Sequence, residues 1–173
     1  MYFKHNSCKL QSEGHSGKFF VGDFLFQMEF KGRELLYIQI ILFGLLFFLG
    51  NVEVVVKNIL LLIPFLAGTI IIFYSMYVLG PRSFSPFPFP PKNSVLVKRG
   101  PYSQLRHPMY FGMEIVGLTL VLSNLRFESV FVFLFLIYVL NMKADMEEEE
   151  LSKKFPEYSD YRTKTRKLVP YFF

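Results

Sequence analysis

The chain has 173 residues, 52% of them hydrophobic, with 22 Phe, 10 Tyr and a mean hydropathy of +0.34. This composition is unusual for a soluble single domain and indicates contact with lipid. The formal net charge is +5, but the basic residues lie between apolar runs, which argues against nucleic-acid binding. The single cysteine, Cys8, excludes an internal disulfide, and the three histidines are too scattered to predict a metal site.

Four apolar segments predict an all-α integral membrane bundle with four transmembrane helices. Residues 35–52 and 59–79 are each long enough for one crossing, and Pro64 lies in the first turns of the second, where few backbone bonds are lost. Residues 109–125 and 129–142 are shorter, and we expect them to form a tight helical hairpin that crosses if the pair packs closely or the membrane is locally thin. Soluble core helices are the alternative.

The basic residues are distributed unevenly between the two ends of these segments. With a cytoplasmic amino terminus, one side receives Lys31, Arg33, the basic residues of the loop between the second and third segments, and every basic residue from Lys143 onward. The other side receives Lys57 and Arg126. The positive-inside rule therefore predicts that both termini and the loop between the second and third segments face the cytoplasm, together with any site that this loop builds.

The loop between the second and third segments begins with the string GPRSFSPFPFPPKNS. Gly80-Pro81 predicts the end of the second helix, and the prolines that follow favour an extended path. The interleaved Phe84, Phe87 and Phe89 favour a loop that lies along the membrane interface. A proline-rich ligand for another protein is the alternative.

The same loop ends in the motif RHPMY, residues 106–110. Pro108 fixes its own φ, disfavours a helical conformation at His107 and suits the first turn of a following helix. His107 is thus predicted at a helix entrance, where unpaired N–H groups and the helix dipole favour an anion, and Arg106 adds a planar cation. The alternative is that Arg106 belongs to the positive-inside set and His107 is an ordinary interfacial residue.

After the fourth segment, the string KADMEEEELSKKF predicts a charged continuation of the helix that stops near Phe155. Lys143 and Glu147 are one turn apart and share a helix face. For residues 147–150 the alternative is a solvated face that the following lysines partly balance. Glu114, about one turn into the third segment, is a functional candidate because a carboxylate is costly inside a membrane, but near the cytoplasmic end it can reach water.

The strings LVKRGPYSQLRHPMYFG, EEEELSKKFPEYSDYR and the terminal LVP resemble the isoprenylcysteine carboxyl methyltransferase family and the related phospholipid N-methyltransferases. The resemblance covers about residues 80–170, the expected cofactor-binding part of a transmembrane methyltransferase domain at residues 31–173. Residues 1–30 form a segment of unknown role. The resemblance implies S-adenosyl-L-methionine as cofactor, bound without a Rossmann domain. The lack of any Gly-X-Gly among the 11 glycines agrees with this.

The family pattern implies a cofactor site that is built from the loop between the second and third segments together with a cytoplasmic C-terminal helix and tail. The implied cofactor-binding residues are Ser94, Val95, Leu96, Val97, Tyr102, His107, Pro108, Met109, Tyr110 and Glu147. The candidate catalytic residues are Arg106, Lys143 and Glu148. Glu147 would meet the amino group of the cofactor. Arg106 or Lys143 would orient an acceptor carboxylate, whereas Glu148 would deprotonate an acceptor amine.

The chain departs from the family pattern at two places. Relatives carry an arginine near the place of Lys143, and lysine keeps the charge but lacks the bidentate fork. The alternative anchors for an acceptor are Arg162, Arg166 and Lys167. Relatives commonly have Phe-Gly where this chain has Phe155-Pro156, so the tail is expected to bend differently there.

The resemblance implies methyl transfer to a membrane-associated acceptor that enters from lipid, with an isoprenylcysteine-like carboxylate as the first choice. A phospholipid amine of the phosphatidylethanolamine type is the second acceptor class. An NADPH-dependent sterol-type reductase is a rival, because some such enzymes share an Arg-His-Pro-Tyr segment. A membrane scaffold without turnover is the non-enzymatic alternative. The expected partners are the lipid bilayer and a lipidic or prenylated substrate, and neither nucleic acid nor metal is expected.

Overall fold

The structure is a computed structural model, and it describes residues 32–168. The expectations for residues 1–30 and for the terminal Val169 and Pro170 lie outside the described residues. Within the described part every regular element is helical, and an isolated parallel bridge joins Leu105 and Arg166. The helices are α1 Gly32–Leu49, α2 Val52–Lys57, α3 Ile59–Ser83, α4 Pro108–Ser123, α5 Phe127–Lys154 and α6 Tyr158–Lys164, with a 3-10 turn at Gly100–Ser103.

Three described helices, α1, α3 and α5, are long and apolar enough to cross a membrane, with mean hydropathies of 1.7, 2.3 and 1.7 over 18 residues. Large apolar side chains stay exposed along them, such as Ile41 on α1, Phe73 on α3 and Phe131 on α5. Such surfaces suit lipid rather than water. The chain is an integral membrane protein, and the cytoplasmic placement of its ends stays a prediction.

The third apolar segment forms α4, which has 16 residues, fewer than the roughly 20 that span the hydrocarbon core. The fourth crossing therefore stays a prediction. α4 packs most extensively against α3, whereas α5 packs most extensively against α1. The tight hairpin predicted for the third and fourth segments is not confirmed, since each helix has its main partner elsewhere.

Glycines set the close approach of α3 and α4. A methyl group on Gly112 would lie 2.7 Å from the carbonyl oxygen of Gly68, and one on Gly68 would lie 2.8 Å from that of Gly112. Backbones in such contact leave no room for a Cβ atom. The pairing fixes α4 beside α3, and with it the corner that precedes α4.

The end of α3 leads into the central loop, defined as residues 84–99. Pro64 is accommodated within α3, as predicted. The helical conformation breaks at Gly80, whose φ of 69° suits glycine, and then resumes as far as Ser83. The helix end predicted at Gly80-Pro81 is therefore a kink, and α3 itself ends at Ser83. The Ser83 Oγ accepts a bond from the Val95 N–H over 3.1 Å and donates to the Val95 carbonyl over 3.0 Å. The loop thus returns to the helix from which it started.

α5 extends well beyond Met142, where its apolar segment was predicted to end, and finishes at Lys154 with Phe155 as its C-cap. This confirms the charged continuation and its stop. Lys143 and Glu148 are buried within the charged half. Buried charges in an otherwise solvated stretch mark the face of α5 that packs against the rest of the site.

Candidate functional site

The tail is attached to the RHPMY corner by backbone hydrogen bonds. The Arg106 N–H donates to the Arg166 carbonyl over 2.8 Å, and the His107 N–H donates to the Lys167 carbonyl over 3.1 Å. The Arg166 N–H donates in turn to the Gln104 carbonyl over 2.9 Å. This short parallel pairing satisfies backbone donors ahead of α4 and holds the tail beside His107.

The Arg106 side chain, which is 9% exposed, joins the corner to α5 and to the tail. Its Nε donates to Glu148 Oε1 over 2.7 Å. Its Nη1 donates to the carbonyls of Thr165 and Arg162 over 2.6 and 3.1 Å. Such charge-assisted bonds are among the stronger ones in proteins. These contacts favour a positioning role for Arg106, and the orientation of substrate by Arg106 stays a prediction.

His107 is 6% exposed and lies between two carboxylates. Its Nδ1 is 3.3 Å from Glu147 Oε2, and its Nε2 is 3.4 Å from Glu148 Oε1. Burial by itself lowers the pKa of His107, but the two nearby glutamate carboxylates outweigh burial, so the pKa is raised above its ordinary value. The contact of Nε2 with Glu148 is not a well-aligned hydrogen bond.

Tyr110 connects His107 to α5. The two rings stack with centroids 5.4 Å apart and planes within 2° of each other. The Tyr110 Oη donates to Glu147 Oε1. One turn earlier on α5, the Lys143 Nζ lies 5.4 Å from the centre of the Tyr110 ring and donates to Gln39 Oε1 over 2.9 Å. Side chains of α1, α4 and α5 thus form one continuous polar surface.

The first turn of α4 offers fewer free donors than the sequence predicts. The N–H groups of Tyr110 and Phe111 both donate to the His107 carbonyl, over 3.1 and 3.2 Å. Pro108 has no N–H group. The anion-binding capacity expected of this helix entrance is therefore partly taken up within the helix itself.

These side chains line a cavity of about 300 Å³. We call His107, Tyr110, Lys143 and Glu147 the polar wall, and residues 84–90 and 94–97 of the central loop the loop wall. Apolar side chains complete the lining, and they include Leu36 of α1, Ile72 and Met76 of α3, and Met113 of α4. The volume lies at the lower end of the range for small-molecule sites.

The structure gathers most of the predicted site residues around this cavity. Those that line it are Ser94, Val95, Leu96, Val97, Tyr102, Arg106, His107, Met109, Tyr110, Lys143 and Glu147. Pro108 is fully buried as the first residue of α4, and Glu148 contacts Arg106 and His107 without lining the cavity. The chemical role of each residue stays a prediction.

Other predicted candidates lie away from the cavity. The Arg162 side chain is 63% exposed, with its Nε 3.5 Å from Glu148 Oε2. Lys167 donates to Asp145 Oδ1 over 2.8 Å. Arg166 contributes its backbone, and half-buried Glu114 does not line the cavity. Glu149, 68% exposed and paired with Lys153, fits the alternative of a solvated face.

Sequence reasoning missed Gln39 and Lys154. The Lys154 Nζ donates to Ser94 Oγ over 2.7 Å, to the Lys92 carbonyl over 2.9 Å and to the Pro91 carbonyl. It therefore joins the end of α5 to the central loop. Gln39 had a signal in the sequence, because it interrupts an apolar run, whereas a lysine at a helix end carries none.

Two tail tyrosines, Tyr158 and Tyr161, were also missed although both line the cavity. The Tyr161 Oη donates to the Tyr102 carbonyl over 2.6 Å, and burial raises the pKa of Tyr161 to about 12. Their spacing of three residues places both on one face of α6, which is the signal that could have found them.

The hydroxyls of Tyr102 and Tyr158 are buried at the cavity and have no hydrogen-bond partner among residues 32–168. A buried hydroxyl without a partner is unfavourable, so a ligand with polar groups would stabilise this arrangement. Burial and the charge of Glu147 raise the pKa of Tyr102 above its ordinary value, so its hydroxyl stays protonated and can donate. The cavity fits a ligand with both polar and apolar parts.

The fold and site define a class of protein, namely a small helical membrane protein with a polar cavity between a loop corner, the charged end of a long helix and the tail. The family model for the isoprenylcysteine carboxyl methyltransferase (ICMT) family matches residues 59–153, more than half of the chain. The chain belongs to this family. The resemblance to this family is confirmed for a stretch that includes the RHPMY corner and ends at residue 153, and the family supports a methyltransferase of the membrane.

Two curated relatives carry metal-resistance names. The chain is 34% identical over 82 residues to the nickel-cobalt-cadmium resistance protein NccN of Alcaligenes xylosoxydans xylosoxydans, covering 46% of this chain and 38% of that protein. The same identity and length relate it to the cobalt-zinc-cadmium resistance protein CzcN of Cupriavidus metallidurans, covering 46% and 37%. The match thus spans less than two fifths of either relative. No solved structure matches the chain significantly.

Proposed function

We propose that this protein transfers a methyl group from S-adenosyl-L-methionine to the carboxylate of an isoprenylcysteine-like acceptor that enters from the membrane. Membership of the ICMT family supports methyl transfer. The observation that carries the choice of a carboxylate acceptor is Lys143, a buried ammonium group on the polar wall of the cavity.

The lining of the cavity suits the cofactor. When bound, S-adenosyl-L-methionine supplies a methyl group activated by a positively charged sulfur. Glu147 would hold its amino group, because this carboxylate lines the cavity and is 20% exposed. Residues 94–97 of the loop wall would lie beside its adenine. The unpartnered hydroxyls of Tyr102 and Tyr158 would donate to its polar atoms.

The surroundings of Lys143 favour an anionic acceptor. Its Nζ donates to the neutral Gln39 amide and lies over the Tyr110 ring. Within residues 32–168 no carboxylate oxygen lies within 4.0 Å of it. A buried cation with no carboxylate in contact is unfavourable, so a carboxylate that enters the cavity gains a strong partner. Lys143 would then orient the acceptor oxygen for an in-line displacement, in which placement contributes much of the acceleration.

An amine acceptor has less support from the site. It would need a carboxylate that can take a proton. Glu148 already receives a bond from Arg106 and contacts His107. Glu147 already receives a bond from Tyr110 and also contacts His107. Neither carboxylate is a spare base, which favours an acceptor that arrives as an anion.

The membrane arrangement is part of the same proposal. Four crossings, with both termini and the cavity facing the cytoplasm, are supported by the uneven distribution of basic residues along the chain. The apolar side chains from α1, α3 and α4 that line the cavity would accommodate the hydrocarbon part of a lipidic acceptor.

Transfer of labelled methyl groups tests the proposal. Purified protein in detergent would be incubated with methyl-labelled S-adenosyl-L-methionine and either N-acetyl-S-farnesylcysteine or phosphatidylethanolamine. We expect label in the prenylcysteine as a base-labile methyl ester. The carboxamide of the same prenylcysteine is the matched control and should take no label. Label in phosphatidylethanolamine alone would contradict the carboxylate acceptor, and label in neither would contradict methyl transfer to both acceptor classes.

A further inference from the structure

Gln39 is a buried polar residue in the first transmembrane helix and lies outside the residues that match the ICMT family. It is 6% exposed and lines the cavity. Its Oε1 accepts the 2.9 Å hydrogen bond from Lys143 Nζ, and its Nε2 donates to Met113 Sδ over 3.3 Å. One side chain of α1 therefore contacts both α5 and α4 at the cavity.

The buried face of α1 is otherwise apolar at this level. Its buried residues recur every three or four positions as Gly32, Leu35, Gln39, Leu42 and Leu46. A leucine would continue the pattern of the helix and would avoid the burial of an amide. The amide is instead satisfied at both ends, by an ammonium donor and by a thioether acceptor. The contact with Lys143 gives this polar position a physical reason.

The hydrogen bond between Gln39 and Lys143 does not neutralise the charge of the Lys143 ammonium group. An ammonium group has three N–H donors. Gln39 accepts one of them, and the Tyr110 ring faces the same nitrogen. A glutamate at position 39 would bring a carboxylate into contact with Lys143, whereas glutamine fixes the nitrogen and leaves it without a carboxylate within 4.0 Å among residues 32–168.

We propose that Gln39 is a positioning residue that holds Lys143 Nζ at the cavity wall and keeps its charge available for one anionic oxygen of the acceptor. The inference rests on the proposed function and adds a specificity determinant to it. Because lysine presents a point charge rather than a planar fork, the anion is held through a single oxygen, and the position of the nitrogen then decides where that oxygen lies.

Kinetics of Gln39→Glu and Gln39→Leu, with N-acetyl-S-farnesylcysteine as acceptor, test this role. We expect KM for the acceptor to rise about tenfold or more in Gln39→Glu, because the new carboxylate competes with the acceptor for Lys143. Gln39→Leu continues the apolar face of α1, so it should fold, and it should also raise KM because the nitrogen loses its anchor. Binding of S-adenosylhomocysteine should stay within about twofold of wild type in both variants.

The possible outcomes separate the inference from the function on which it rests. Variants with a wild-type KM, or with S-adenosylhomocysteine affinity that falls in parallel with the rise in KM, would overturn the role of Gln39 while the methyltransferase remains. Wild-type protein that methylates none of the acceptors would overturn the proposed function and, with it, the inference. Gln39→Asn offers a graded check, since a shorter amide should raise KM less than leucine does.

Discussion

The two walls of the cavity are held in different ways. On the polar wall, Tyr110 and His107 bind Glu147, and next to this wall Arg106 and His107 bind Glu148. The loop wall consists of proline-rich chain without helix. Side-chain hydrogen bonds tie the loop wall to the rest of the molecule through Ser83 and Lys154.

The polar wall is therefore fixed by buried charges, whereas the loop wall depends on hydrogen bonds from two side chains, Ser83 and Lys154. A network of buried, mutually bonded charges fixes the geometry that chemistry requires, since each partner restricts the others. A segment with few ties opens at a lower free energy than the core. We therefore expect changes in the buried charge network to lower the free energy of unfolding, and changes on the loop wall to weaken ligand binding with little effect on stability.

The largest effect should come from Glu148→Gln. The change leaves the Arg106 guanidinium buried opposite a neutral amide, and we expect it to lower the free energy of unfolding by about 3 kcal/mol. Thermal or denaturant unfolding in detergent measures the loss. Glu149→Gln is the matched control on the 68% exposed position and should change stability by less than about 0.5 kcal/mol. Equal losses in the two variants would contradict the special role of the buried carboxylate.

Gly112→Ala tests the close contact between α3 and α4 that places the RHPMY corner. The added methyl group would lie 2.7 Å from both the Gly68 carbonyl oxygen and Ile72 Cγ1, so α3 and α4 must separate. We expect a loss of about 1–3 kcal/mol in the free energy of unfolding. At Gly44 an added methyl group meets no atom within 4 Å, and Gly44→Ala should be neutral or slightly stabilising. A stable Gly112→Ala variant would show that close packing there is dispensable.

Lys154→Met should act on the loop wall. The variant loses the hydrogen bonds to Pro91, Lys92 and Ser94, and we expect S-adenosylhomocysteine to bind about tenfold more weakly while the unfolding temperature changes little. Calorimetry and limited proteolysis of the central loop measure the two consequences. Lys153→Met, whose lysine is 60% exposed and pairs with Glu149 and Glu150, should behave as wild type. Equal ligand affinity and equal proteolysis in the two variants would contradict the role of Lys154 in holding the central loop.

The smallest and most specific effect concerns pH. The pKa of His107 is raised in the folded protein by Glu147 and Glu148, so its contribution to stability is fully present below about pH 6.5 and is lost as pH rises through the raised pKa. His107→Gln should flatten the dependence of the unfolding temperature on pH over that interval. Profiles that stay parallel for wild type and variant would show that His107 does not titrate as described.

Much of the fold follows from the sequence because lipid leaves the backbone few options. Long apolar runs must become helices when no water is present to bond their peptide groups, which is why α1, α3 and α5 could be placed. The partners of α4 and α5 could not be deduced in the same way. The close approach at Gly68 and Gly112 depends on two residues far apart in sequence, and neither glycine is unusual in its own segment.

Some residues of the candidate site could likewise be predicted from the sequence, and others could not. RHPMY and the glutamate run were found because their residue types and order carry chemical meaning. Gln39 was not found, because the face of α1 that meets Lys143 is set by helix packing, and these two residues are 104 positions apart along the chain. Arg106 was expected to orient substrate, but its side chain donates to backbone carbonyls of the tail. Contacts with backbone groups leave no pattern of residue types in the sequence, so they could not be predicted.

Binding of S-adenosylhomocysteine to the purified protein, measured by calorimetry in detergent, tests most directly whether the two walls enclose one cofactor site. We expect wild type to bind, Glu147→Gln to bind at least about tenfold more weakly, and Glu149→Gln to bind as wild type does. Wild-type protein that leaves the ligand free, or a Glu147→Gln variant with undiminished affinity, would contradict a cofactor site between the polar wall and the loop wall.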